Sequence, residues 1–570
     1  MWQRKEIWEK LAQPWDLIIV GGGITGAGIL REATRMGLRP LLVEQQDFAW
    51  GTSSRSSKLV HGGLRYLQQG QIGLTRDSVT EREHLLEEGP GLIEPLGFLW
   101  ATFKGARPGR WLLEAGLSVY DLLAWQWDHD YHDANEFHML APHIDERRLE
   151  GGFTFEDAKT DDARLVFRLL QEATGDGGTA LNYTRAETLL LEEGRVKGMR
   201  LRDRLTGEMV DVYGDAVINA TGAWADTLRA QVGARERIRP LRGSHLVFPN
   251  WRLPVAQAIS FPHPLDKRPV FVFPWEGATL VGTTDVEHGQ RLNEEPRISG
   301  EETAYLLAAV AAYFPSLEIG ADDILSTFAG VRAVIGTGSA DPSRESRDHV
   351  VWEENGLLTV TGGKLTTFRL TALDALEAVR ERLPAMDKPE KQMWVLAPVS
   401  GPLPGARSLA EQAQQRLWGR YGQRAPEVVA AARPGELVPI GQTDYLWAEV
   451  RWAARAEAVV HLDDLLLRRV RVGLLLPEGG AAIQERLGAI CREELGWNQV
   501  QWQAEWNRYQ DLWRCCYSPP APEAVPDWHD MLAERPEAAP RSTFHRIAPV
   551  GALLSFLLLL FYRYIQRGNE

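Results

Sequence analysis

The strongest constraint on the fold lies in residues 15–44. The apolar run Trp15–Val20 is followed at once by Gly21-x-Gly23-x-x-Gly26. A helical stretch runs from about Ile24 to Met36 and is closed by Gly37, and a second apolar run, Leu41–Val43, ends in Glu44. Strand, glycine turn, helix and second strand make a β-α-β unit of about thirty residues, the start of a parallel sheet. Each glycine has a steric reason: Gly21 permits the tight turn, Gly23 lets a pyrophosphate approach the backbone, and Gly26 lets the helix pack on the strand. The helix N-terminus offers unpaired N–H groups and partial positive charge to that pyrophosphate. Glu44 stands where a carboxylate can accept both ribose hydroxyls. The unit therefore predicts a dinucleotide, without itself separating FAD from NAD. Its place at the N-terminal end leans towards FAD. The stretch Asn219-Ala220-Thr221-Gly222 closes another strand with small residues, so Ala220 and Gly222 would let backbone approach the cofactor a second time.

The chain has 570 residues, more than one hydrophobic core usually organises, so at least two domains are expected. Further strand-like runs at Ala216–Asn219, Leu246–Phe248, Pro269–Phe273, Thr279–Val281 and Leu357–Thr361 make residues 15–397 mixed α/β. A Pro/Gly-rich stretch, Pro398–Gly405, reads as a linker to a helical domain over residues 405–515, rich in Ala, Leu, Glu and Arg at helical spacing. A Pro-rich spacer over 519–545 leads to an apolar run, 547–565, with a single charge, Arg563. At 1.5 Å per residue that run reaches roughly 28 Å, just under one hydrocarbon core, so a lipid-embedded tail anchor is expected. The competing use is a helix packed on another subunit, which would make the protein a homo-oligomer.

A formal net charge of −14 argues against a nucleic-acid partner. It also means that an anionic substrate needs Arg and Lys gathered locally. The three cysteines form no CxxC pair, which excludes a disulfide framework or a Cys-rich zinc site and suits a reducing compartment. The charged first thirteen residues have no apolar core, so no secretory signal is expected.

Beyond the fingerprint the chain reads DFAWGTSSRSSKLVHGGLRYL (Asp47–Leu67), RGSHLVF around His245, GTTD (Gly282–Asp285), AGVR ending in Arg332, SRD (Ser346–Asp348), TGGKLTT (Thr361–Thr367) and DDLLLRR (Asp463–Arg469). With these motifs, from about Trp15 to Trp513, it strongly resembles the FAD-linked, quinone-dependent glycerol-3-phosphate dehydrogenase family. One departure is Ala333, where that family usually has Pro; the change should affect loop stiffness and leave the chemistry intact. The apolar tail is not a general family feature. The resemblance implies an α/β fold: a Rossmann-like FAD-binding domain interleaved with an α+β substrate-binding subdomain, followed by an α-helical C-terminal domain. It also implies oxidation of sn-glycerol 3-phosphate to dihydroxyacetone phosphate by hydride transfer to FAD; the apolar tail favours a membrane quinone as the electron acceptor, and the acidic, Cys-poor body suits the cytoplasmic face. Glycerophosphate oxidases, which hand electrons to oxygen, share nearly every motif. A non-catalytic, membrane-tethered nucleotide-binding protein is the alternative from another class.

A phosphate dianion calls for the planar fork of Arg. By resemblance, Arg65, Arg332 and Arg347 face the substrate, with Arg332 the strongest candidate, and Lys364 can reach the substrate oxygen or add charge beside the flavin. His245 is the leading base, since an ordinary pKa of about 6.5 suits proton removal near neutrality. His61 is second, and with Gly62 it more readily contacts the flavin or shapes its loop. Thr52, Ser53 and Ser54 stand where the family places flavin contacts. In Gly362-Gly363-Lys364-Leu365-Thr366-Thr367 two glycines end a strand, and a helix expected from about Thr366 would aim its N-terminus at the flavin.

Overall fold

A computed structural model describes residues 4–64, 67, 71–105, 109–124, 128–336, 349–385 and 394–533. The first sheet has eight strands. Five run parallel, in the order Leu357–Thr361, Met209–Asn219, Trp15–Val20, Pro40–Val43, Thr179–Leu181. Trp15–Val20 sits at the centre because it is apolar on both faces, as a strand covered on both sides must be. It pairs Val20 with both Asn219 and Val43, bringing three strand ends to one edge. The helices Ile24–Arg35, Asp162–Gly175 and Phe368–Val379 cover one face. The antiparallel strands Thr184–Glu192 and Arg195–Asp203 contribute to the core on the other. Helix-to-strand contact is as close as the sequence predicts: a Cβ added at Gly26 would lie 1.9 Å from the Gly21 carbonyl oxygen.

The second sheet has ten strands and is mainly antiparallel. Its spine is Ile238–Pro249, paired with Ala278–Gly282 on one side and Ser326–Ile335 on the other. This register sets His245 opposite both Gly282 and Phe328. The run expected as Leu246–Phe248 is thus the end of a twelve-residue strand. Its polar first half, Ile238-Arg-Pro-Leu-Arg-Gly-Ser-His245, gives no apolar alternation to read.

Among the described residues beyond 405 the structure is mainly helical, with Glu411–Tyr421, Ala425–Ala431, Trp447–Ala456, Gln484–Glu494 and Gln499–Cys516 as the main elements. Leu417, Tyr421, Val428 and Trp452 belong to a cluster of this region's own, while the rest of its core is shared with the second sheet. One apolar cluster runs from Leu59, Trp275 and Phe328 into Leu462, Leu465, Tyr509 and Trp513. Buried charges cross the same boundary. Arg468 and Arg469 donate to Asp47, Arg420 to Asp161, Arg471 to Asp162, and Arg164 reaches back to Glu457 through two bonds of 2.9 Å. Among the described residues no helix is long and apolar enough to cross a membrane, and the run 547–565 lies outside them.

Asp162 shows how these charges shape the cleft edge. Its two oxygens accept from Lys58 Nζ at 2.9 Å, Arg471 Nη2 at 3.0 Å, the Ser56 N–H at 2.9 Å and the Ser56 hydroxyl at 2.7 Å. Removing one partner of a buried pair strands the other charge, at about 3–5 kcal/mol. Asp162→Ala is therefore expected to lower the thermal midpoint of the holoprotein markedly. An unchanged midpoint would refute the structural role of this carboxylate.

Candidate active site

The parallel strand ends and the second sheet enclose one cavity of about 2200 Å³. Small-molecule sites usually hold up to about 1,000 Å³, so this one has room for a dinucleotide and a further ligand. Gly21 and Gly23 line one end. A Cβ at Gly21 would stand 2.5 Å from the Ala220 carbonyl oxygen, and the residue's φ of +113° is itself unfavourable to any side chain. Gly23 has no side chain to cap the helix Ile24–Arg35, and the Ser53 hydroxyl takes only the amide of Ile24, so the amides that follow can meet an anion.

Glu44 also lines the cavity. Its carboxylate accepts from the Gly22 N–H at 2.7 Å and the Gln46 N–H at 2.8 Å, each oxygen keeping lone-pair capacity for a ribose hydroxyl. Burial raises its pKa, and those backbone bonds pull the other way.

Ala220 and Gly222 line the cavity beside the fingerprint, followed by Thr52 and Ser53. Ser53 Oγ accepts from the Ile24 N–H at 2.9 Å, and the Thr52 hydroxyl donates to the Val331 carbonyl at 2.5 Å. Two expected lining residues turn away instead. Ser54 is buried, its carbonyl accepting from Lys58 and Arg471, so it anchors the turn from behind. Gly62 backs onto Tyr120, where a Cβ would meet the hydroxyl oxygen at 2.2 Å, and its N–H donates to Asp157. His61 and Gly63 line the cavity in its place. Gly26, too, lies outside the lining and serves helix packing alone.

Gly362, Gly363, Lys364, Leu365 and Thr366 also line the cavity. Both glycines have φ near +80°, a left-handed pair that carries the chain from strand to helix. The helix begins at Phe368, with Thr367 at its N-cap, two residues later than expected. Thr366 is instead a loop residue whose hydroxyl donates to the His61 carbonyl at 3.2 Å, tying the two lining segments together. Lys364 Nζ lies 3.4 Å from Ser78 Oγ.

Arg332 and His245 face the same space. Arg332 Nη2 donates to Thr283 Oγ1 at 3.3 Å, and Nη1 lies 3.6 Å from Asp285 Oδ1. Those partners hold the fork in orientation while the side chain stays partly exposed. His245 is buried flat on the Phe328 ring, with centroids 4.6 Å apart, and its Nε2 is 2.9 Å from Ser57 Oγ. Burial and then the nearby charges of Lys58 and Arg332 press its pKa well below the usual histidine range. Burial holds Lys58 down to about 8, helped by Arg471 and opposed by Asp162. Arg65 and Arg347 lie outside the described residues. The sequence reading missed Ser57, Lys58, Thr283 and Asp285. All four sit inside quoted motifs, but only three-dimensional pairing shows what they touch.

The comparisons with known proteins follow this geometry. The model described as "FAD dependent oxidoreductase" matches residues 16–369, more than half of the chain. The protein belongs to the FAD-dependent oxidoreductase family. Residues 388–502 match the "C-terminal domain of alpha-glycerophosphate oxidase". The chain is 34% identical over 481 residues to the aerobic glycerol-3-phosphate dehydrogenase of Staphylococcus aureus strain USA300, covering 80% of this chain and 86% of that protein. It is similar to the crystal structure of the glycerol-3-phosphate dehydrogenase from Bacillus halodurans complexed with FAD. That likeness has 27% identity and a TM-score of 0.72 and covers 92% of this chain and 98% of that one. The L-α-glycerophosphate oxidase of Mycoplasma pneumoniae shares the fold at 19% identity, with a TM-score of 0.53 over 67% of this chain and 97% of that one.

FAD fits the cradle seen here: glycines that side chains would fill, a helix N-terminus whose cap residue is glycine, and a carboxylate at the ribose position. As an FAD-dependent oxidoreductase the protein should lose its cofactor when the tight turn is filled. Gly21→Val adds a side chain at positive φ, costing about 1–3 kcal/mol of strain, and each 1.4 kcal/mol is about tenfold in affinity. The variant is expected to purify with a flavin-to-protein absorbance ratio far below that of wild type. Full flavin content would show that the turn is not the pyrophosphate site.

Proposed function

We propose that the protein oxidises sn-glycerol 3-phosphate to dihydroxyacetone phosphate and passes the electrons to a membrane quinone. The observation that carries this reading is that Arg332, Lys364 and two histidines, His61 and His245, line one cavity with the dinucleotide fingerprint. The names of the relatives support the substrate. FAD bound in the cradle supplies the hydride acceptor for C2 of the polyol. The chain's own residues supply orientation, charge and the proton path. Arg332, held by Thr283 and Asp285, offers a planar fork to two phosphate oxygens, a charge-assisted contact worth about 1.5–3 kcal/mol. Lys364 adds a second cation to the lining, and the C2 hydroxyl proton passes to a base of the cleft.

Anaerobic titration tests this directly. Glycerol 3-phosphate should bleach the visible flavin band of wild-type protein, while glycerol should not. Arg332→Lys keeps the charge but loses the fork, so its bleaching should need roughly tenfold or more substrate. A flavin that stays oxidised under excess glycerol 3-phosphate would sink the reading.

The quinone acceptor is drawn from the apolar run at residues 547–565, long enough to anchor the protein at the cytoplasmic face of a membrane. The C-terminal match to an oxidase domain favours a second reading, with oxygen as acceptor and peroxide as product. Reduced enzyme should turn over a quinone analogue much faster than it forms peroxide. Deleting residues 547–570 should release the protein from membranes while sparing reduction of a water-soluble quinone. Stoichiometric peroxide, or a truncated protein that stays membrane-bound, would count against quinone and anchor respectively.

A further inference from the structure

We propose that Ser57 is a substrate-contacting residue of the cleft, and that His245 serves it as a hydrogen-bond donor through Nε2–H, not as the acceptor of the substrate proton. This inference rests on the proposed polyol phosphate substrate and assigns a role within that same site.

The imidazole is held on both faces. His245 is 1% exposed. One face lies on Phe328, nearly parallel at an interplanar angle of 8°. The other lies on the backbone of Gly282, where an added Cβ would stand 2.2 Å from Cδ2 and 2.7 Å from Nε2. Any residue but glycine at position 282 would push the ring out, so strand and ring fix the imidazole plane. Within that plane the two nitrogens differ. Nε2 meets Ser57 Oγ at 2.9 Å, whereas Nδ1 is enclosed and meets no hydrogen-bonding atom among the described residues.

That asymmetry selects the tautomer. A proton on Nδ1 would be a buried donor without an acceptor, which disfavours that form by about five- to a hundredfold. A bare lone pair on Nδ1 is the milder defect, since orphaned buried donors are rarer than under-satisfied acceptors. The imidazolium would strand the same Nδ1 proton, and the cations nearby, Lys58 held by Asp162 and Arg332 near Asp285, oppose it further. The neutral ring with hydrogen on Nε2 is therefore the preferred form. In that form Nε2 has no lone pair to take a proton, and its hydrogen points at Ser57.

Ser57 is then the group with chemistry to spare. Its oxygen accepts one bond from His245, which leaves its own O–H and a second lone pair free to turn. Ser57 lines the cavity with Arg55, Ser56 and His61. It can donate to an oxygen of the polyol phosphate or accept from its hydroxyl, with the lone pair on the far side pinned. His245 is accordingly a positioning residue acting through Ser57.

The test is rapid anaerobic reduction of the holoenzyme's flavin by glycerol 3-phosphate, comparing H245A, H245Q, H245N, S57A, S57T and the S57A/H245A double variant. The flavin absorbance ratio and thermal midpoint of each confirm that it is loaded and folded. Gln carries an amide N–H at the reach of Nε2, and Asn does not. H245A and S57A should each slow reduction by about ten- to a hundredfold, the loss of one or two polar contacts, and the double variant should be no slower than the worse single one. H245Q and S57T should recover most of the rate, H245N should not, and the pH profile of H245Q should overlay that of wild type. The proposal is overturned if H245Q is as slow as H245A and loses the acidic limb of its pH profile, the signature of a missing base. It is equally overturned if S57A reduces at the wild-type rate. Failure of the wild-type flavin to bleach at all would instead remove the substrate reading, a result visible before any variant is made.

Discussion

Asp162 joins the two halves of the molecule to the wall of the cleft. It opens the helix Asp162–Gly175, where the backbone field favours a carboxylate. From there it holds the backbone and hydroxyl of Ser56, the ammonium of Lys58 and the guanidinium of Arg471. Arg471 comes from the helical region and also donates to the Ser54 carbonyl. The segment Thr52–Lys58, which carries much of the lining, is thus pinned from behind by a charge cluster that needs both parts of the chain. Buried ion pairs seldom add much net stability, because desolvation offsets their attraction. Their use here is geometric, since an apolar substitute would fill the space without fixing which backbone atoms face the cleft.

The same cluster sets the electrostatics of the site. A chain with net charge −14 has to concentrate cations to hold a phosphate. It does so by committing some arginines to buried carboxylates and leaving others at the cavity. Arg468 and Arg469 are consumed by Asp47, and Arg420 by Asp161. Arg332 and Lys364 line the cavity, with Asp285 Oδ1 3.6 Å from Arg332 Nη1. Lys58 lies between the two groups. Its ammonium sits over the rings of Trp275 and Phe328, 4.9 and 4.7 Å from their centroids, and Phe328 in turn carries His245. The positive field at the imidazole therefore comes partly from a residue that does not line the cavity.

How much of this could be read from the chain depends on whether the signal is local. The β-α-β unit was legible to within a residue or so, because glycine sterics, helix capping and strand burial all act over a few neighbours. The strand Leu357–Thr361 was read to the residue for the same reason. The start of the next helix was placed two residues early, since the left-handed pair Gly362-Gly363 and a loop through Thr366 look like a cap in one dimension. The long strand Ile238–Pro249 was seen only at its apolar end. Its polar half is buried by partners far away in sequence, among them Glu302, which receives Arg242 and Ser244. The buried arginines of the C-terminal region show only helical spacing in the sequence, because their carboxylates on the first domain lie 259 to 422 residues earlier.

Ser57 shows where motif reading stops. In the run Thr52-Ser-Ser-Arg-Ser-Ser-Lys58 every hydroxyl is a plausible ligand contact, and nothing in the spacing ranks them. The fold does rank them. Thr52 is bonded to a carbonyl, Ser53 to the first amide of the helix, Ser54 faces the protein interior and Ser56 is bonded to Asp162. Ser57 is left facing the cavity with a histidine at its back, and that histidine can lie there only because Gly282, thirty-seven residues further on, has no side chain. The chemistry of a site like this is set less by which polar residues its motif contains than by which of them the surrounding structure has not already used.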